Sequence, residues 1–186
     1  LVVINPEEGG GKEGPRATET QDAEPSGSEV TISTANNPTE YHDTIIPVDI
    51  DIGDTFFFGV YEQDCNSSNR QEPIEWVVLD KIDDKMLVLS TEALDCKPYN
   101  NQDCDCTWAT CSLRKWLNGT FYKAAFSNKE RERIMDATVE AHANPDFSTN
   151  PGMSTHDYIF LLSVEEVNQY LPYDSNRMCF PTEYAK

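Results

Sequence analysis

The composition of the chain breaks near Pro47, and that break limits what can fold. From Leu1 to about Pro47 the sequence is rich in Glu, Gly, Pro, Ser and Thr and has no sustained apolar periodicity. Such a stretch buries too little apolar surface to offset its ordering entropy, so residues 1–47 read as a disordered acidic linker or stalk. Gly9-Gly10-Gly11 and Pro25-Ser26-Gly27-Ser28 make it flexible, and its like charges extend it. The folded region is then 48–186, a common size for one domain.

Within that region the hydrophobic pattern first has the two-residue period of strands. Ile46, Val48, Ile50 and Ile52 alternate with polar or turn residues, and Thr55–Tyr61 (TFFFGVY) forms a second run, in which Gly59 marks a bulge. Glu75–Asp80 and Lys85–Ser90 then read as a hairpin turning at Asp83-Asp84. After a long polar loop, Asp95 to Thr107, the period changes to that of a helix. Leu113, Trp116, Leu117, Phe121 and Ala124 to Phe126 recur at spacings of three and four, and Asn118-Gly119 predicts one bent helix or two short ones. Ser127 with Glu130 and Ser163 with Glu166 are capping boxes that open two further helices. Residues 139–152 read as irregular, and Tyr158–Leu162 (YIFLL) as a buried strand. This order of elements indicates an α+β domain rather than alternating βαβ units. Pro181-Thr182-Glu183-Tyr184 resembles the opening of one more helix, so the domain is expected to be truncated at its C-terminal side.

Charge and cysteine content narrow the partners and the compartment. A formal charge of -19, from 33 acidic against 14 basic residues, excludes a partner held by phosphate neutralisation, so nucleic acid is not expected. No apolar run is long enough to span a membrane, although Leu1-Val2-Val3-Ile4 reads as the trailing edge of an upstream export or anchor segment. Six cysteines (Cys65, Cys96, Cys104, Cys106, Cys111 and Cys179) fit an exported protein with structural disulfides, for which six cysteines allow 15 connectivities. Four of them fall between Cys96 and Cys111, where unpaired thiols or zinc are the other options. An extracellular location, attached to the cell surface or secreted, follows.

Catalytic residues are not legible. None of His42, His142 and His156 lies in a motif that ties it to a cysteine nucleophile. No cofactor is required, although calcium is an option where Asp95, Asn100, Asn101, Asp103 and Asp105 crowd one loop and Asn144, Asp146 and Asn150 another. Among the aromatic residues Trp108, beside the cysteine loop, is the candidate for stacking on a sugar, with a core position as its alternative.

The segments EPIEWVVLD, LVLSTEALDCKPYN, TWATCSLRKWLNGTFYKAAFS, IFLLSVEEVNQY and RMCFPTEYAK resemble a family of uncharacterised bacterial cell-surface domains. That family is distantly similar to the C-type-lectin-like fold shared with formylglycine-generating enzymes. The resemblance implies a C-type-lectin-like domain outside the membrane behind a linker, with further strands after Pro181-Thr182-Glu183-Tyr184-Ala185. It also sets Cys104-Asp105-Cys106 apart as a private disulfide or a partner of Cys65, because the family has ordinary loop residues there. It transfers no catalytic residue. The expected function is a noncatalytic binding module for a glycan or a surface protein. The alternative is a modifying enzyme of the formylglycine-generating type whose catalytic part lies beyond this sequence.

Overall fold

A computed structural model describes residues 2–6, 46–47 and 49–186. Most of the expected linker, with His42, lies outside the described residues. The main sheet is antiparallel with strand order β1-β4-β3-β2, built from β1 (Val2–Ile4), β2 (Thr55–Tyr61), β3 (Glu72–Ile82) and β4 (Lys85–Ser90). A helical segment follows, made of α1 (Ser112–Trp116), a π-helical turn (Leu117–Phe121) and α2 (Tyr122–Ala125). Then come α3 (Asn128–Arg133), a two-stranded sheet of β5 (Ala137–Val139) and β6 (Thr155–Asp157), α4 (Val164–Tyr170) and a 3-10 turn (Asp174–Arg177). The α+β class expected from the pattern is what the chain adopts.

Strand alternation puts one face of the main sheet in the core. Phe56, Phe58, Ile74, Trp76, Val78, Met86 and Val88 are buried, and the residues between them are more exposed. Phe121 and Phe126 pack on that face, and the Phe126 ring lies 5.5 Å from Phe58 and 6.2 Å from Trp76. Burying one such side chain contributes about 1.5–3 kcal/mol, so this aromatic group supplies much of what joins the helices to the sheet. The indole nitrogen of Trp76, cut off from water, donates to the Phe58 carbonyl at 2.7 Å.

The 75–80/85–90 hairpin, the Gly59 irregularity and both capping boxes form as the sequence indicates. Register shifts between Phe57 and Val60, where Gly59 has φ 74°. The side chain of Glu130 takes part in both an N-cap and this bulge. One carboxylate oxygen accepts the Ser127 amide at 2.8 Å, and the other reaches across to the Gly59 amide at 3.0 Å. The amide freed by the bulge is thereby satisfied from α3.

Three local expectations are corrected. Val2–Ile4 is not linker but the edge strand beside β4, with Ile4 fully buried; a composition average hid three β-branched residues that pair well. Residues 49–52 form no strand despite their alternation, because the Asp51 amide turns back onto the Asp54 carboxylate at 2.9 Å. The strand near YIFLL sits earlier, at Thr155–Asp157, paired with a β5 that lies at the edge of a region read as irregular. Residues 158 and 159 leave the ladder because the Asn118 carboxamide accepts both of their amides, at 2.7 and 3.1 Å, and donates to the Ile159 carbonyl at 2.8 Å. Asn118 lies in the π-helical turn, where the sequence predicted a weak helix.

Gly59→Ala is expected to destabilise the fold by about 2–4 kcal/mol in urea denaturation, because the new Cβ would sit 2.6 Å from Phe126 and the φ is left-handed. Gly119→Ala, with open space around its Cβ position, should instead be neutral or stabilising by up to about 1 kcal/mol.

Candidate functional site

The polar loop between β4 and α1 is placed by one buried carboxylate. Asp157, 1% exposed at the end of β6, accepts from three side chains. One oxygen takes the Trp108 indole N–H at 2.9 Å and the Thr155 hydroxyl at 2.6 Å. The other takes the Arg114 Nε at 2.7 Å. The Arg114 guanidinium also donates to the carbonyls of Ala109 at 3.3 Å and His156 at 3.2 Å. A buried anion is tolerated only when paired and fully hydrogen-bonded, and this one is. Trp108 is therefore half-buried, with its nitrogen committed to the scaffold.

Cys111 fixes the other end of the loop. It is buried and caps α1, its sulfur accepting the Arg114 amide at 3.4 Å, and its thiol donates to the Trp108 carbonyl at 3.4 Å. Asn100 ties the start of the loop to the same helix, accepting the Ser112 amide at 3.2 Å, and the Asn101 amide donates to the Ser112 hydroxyl at 2.8 Å.

Between these anchors lies an open concavity of about 370 Å³. Carboxamides of Asn100, Asn101 and Gln102, hydroxyls of Thr110 and Ser112, and the ammonium of Lys115 line it, together with Cys104 and Cys106. Asp105 lines it as well, so it offers many hydrogen-bond donors and acceptors and one charge of each sign. Tyr99, in the same loop, is pushed up to about 12 by burial and then by the neighbouring Cys111 and Cys106. Burial, followed by Cys111, Cys104 and Asp105, also raises the Cys106 thiol.

All six cysteines are free thiols in this structure. Cys104, Cys106 and Cys111 come together around the concavity and the turn after it, whereas Cys65 lies exposed in the β2–β3 loop, and Cys96 and Cys179 are exposed elsewhere.

Of the oxygens considered for calcium, those of Asp95, Asn100, Asn144 and Asn150 accept hydrogen bonds. Asp95 accepts the Tyr61 hydroxyl at 2.7 Å and pairs with Lys97 at 3.2 Å, and Asn144 and Asn150 cap their own turns. Burial and this bond hold Tyr61 well above the ordinary tyrosine range. Sequence reasoning missed another group. Among the described residues, Glu62, Asp64 and Glu72 each bring an oxygen within 4.8 Å of the others, a donor set suited to a hard divalent cation. Hydrogen bonds from the Asn66 amide and then the Asn69 carboxamide hold Asp64 below the usual carboxylate range. Glu62 and Asp64 lie in the loop after β2 and Glu72 at the start of β3, so only strand pairing shows their proximity. His142 and His156 are exposed beside Glu165 and Asp136.

A mixed sheet-and-helix domain with an anchored cysteine loop is the class these features define. The chain belongs to the family described as Domain of unknown function (DUF6273), whose model matches residues 83–186, more than half of its 186 residues. No curated protein and no solved structure matches the chain.

Asp157→Asn should cost about 3 kcal/mol in chemical denaturation, since it leaves Arg114 half-buried without its counter-charge. In the cycle with Arg114→Met the double variant should lose clearly less than the two single losses combined. The Tyr99 contribution to stability should be fully present below pH 10 and lost as pH rises through about 12, because the folded state holds the phenol proton more tightly. Comparing the alkaline stability profile with that of Tyr99→Phe reads this directly.

Proposed function

We propose that the chain is a noncatalytic extracellular binding module, displayed at the cell surface or secreted, whose ligand is a glycan. The observation that supports this is the open concavity lined by carboxamides, hydroxyls, Lys115 and Asp105. Polar groups of this kind exchange hydrogen bonds with sugar hydroxyls, and the half-exposed Tyr99 ring in the same loop supplies an apolar face. The loop that carries them is held at both ends, so binding costs little ordering of the backbone. The extracellular setting is supported by the number of cysteines and by the acidic composition before residue 48. On this reading the fold is a variant of the C-type-lectin-like arrangement. Exposed Tyr173, Met178 and Phe180 support the added proposal that further strands cover these side chains in the whole protein.

A glycan array, with calcium and with a chelator, tests the proposal. Binding to a defined sugar, weakened about tenfold by Asn101→Ala or Lys115→Ala, is the expected result, equivalent to about 1.4 kcal/mol each. Glu165→Gln, on α4 and outside the lining, should leave it unchanged. Binding that survives both lining substitutions would move the site elsewhere, and silence across the array would count against a glycan ligand.

A further inference from the structure

We propose that Cys106 and Cys111 form a reversible disulfide and that Cys104 is the thiol through which oxidation reaches them. The five residues from Thr107 to Cys111 close a tight turn. The Thr107 carbonyl accepts the Thr110 amide at 3.0 Å and the Cys111 amide at 2.9 Å, while the Thr107 amide donates to the Thr110 hydroxyl at 3.1 Å. These bonds bring the two ends of the turn together, with Cys106 the residue just before it and Cys111 its last. The electrostatics agree: after burial, the Cys111 thiol is the next cause that raises both Tyr99 and Cys106, and for Cys106 it comes ahead of Cys104, only two residues away.

Exposure sets the order of reaction. Cys104 is exposed, Cys106 is half-buried and Cys111 is buried, so an external disulfide meets Cys104 first. The Cys104 thiolate attacks a low-molecular-weight disulfide such as glutathione disulfide, forming a mixed disulfide and releasing one thiolate. The Cys106 thiolate then attacks the Cys104 sulfur and expels the second small thiolate, leaving a short Cys104–Cys106 ring. The Cys111 thiolate attacks the Cys106 sulfur, forms the final bond and returns Cys104 as a thiolate. Overall one external disulfide is reduced to two thiols, and two protein thiols lose two protons and two electrons. The final pair replaces the Cys111 thiol donor to Trp108, while the Cys111 sulfur remains at the start of α1. The inference does not depend on what the concavity binds.

The test uses the full chain equilibrated in glutathione disulfide, alkylated, and cut with chymotrypsin under non-reducing conditions. Cleavage after Tyr99, Trp108 and Leu113 separates peptide 100–108, which holds Cys104 and Cys106, from peptide 109–113, which holds Cys111. The expected product is these two peptides joined, two hydrogens lighter than the sum of peptide 109–113 and the singly alkylated peptide 100–108, with fragmentation placing the bond on Cys106 and the alkyl group on Cys104. Cys104→Ser should still give the joined peptides, but at least tenfold more slowly. A bond mapped to Cys104–Cys111, or alkylated Cys111 beside a stable Cys104–Cys106 ring, would overturn the pairing. An unchanged rate in Cys104→Ser would overturn the role of Cys104.

Discussion

The Asp157 carboxylate sits at the centre of everything the cysteine loop does. A buried anion must have its lone pairs filled, and here they are filled from the loop itself by Trp108, from α1 by Arg114 and from its own strand by Thr155. Because Arg114 also donates to carbonyls on both sides, at Ala109 and His156, the guanidinium joins the small β5–β6 sheet to the turn that precedes α1. Asn118 repeats this device one helical turn later, holding the chain just past β6. The loop thus gains a fixed shape without regular secondary structure, and the concavity along it is a consequence of that shape.

Elements whose signals were local could be read from the sequence. The hairpin, the bulge at Gly59 and the two Ser-x-x-Glu caps depend on residues within a few positions of each other. Elements decided by distant partners could not. The alternation at 49–52 gives no strand, since local turn bonds capture that backbone, while Val2–Ile4 takes the sheet edge beside β4. Tyr158 and Ile159 are apolar enough for a strand, but a carboxamide forty residues earlier takes their amides.

The same distinction holds at the site. Cysteine spacing drew attention to the loop, and Trp108 was singled out, but its bond to Asp157 spans 49 positions and leaves no sequence pattern. Nor could spacing reveal that Lys115 and three carboxamides share one concavity, or that Glu62, Asp64 and Glu72 converge. Membership in a family of unknown function leaves the chemistry of these side chains as the guide to what the loop recognises.

Native-state hydrogen exchange on the Asp157→Asn chain tests most directly whether this carboxylate shapes the loop. The amides of Asn101 and Cys111 in the loop and of Arg114 in the first turn of α1, each protected by a defined bond, should exchange faster than in the unaltered protein, and by a larger factor than amides of β3 and β4. Equal acceleration everywhere would reduce Asp157 to a general contributor to stability. Unchanged exchange in the loop would contradict the account.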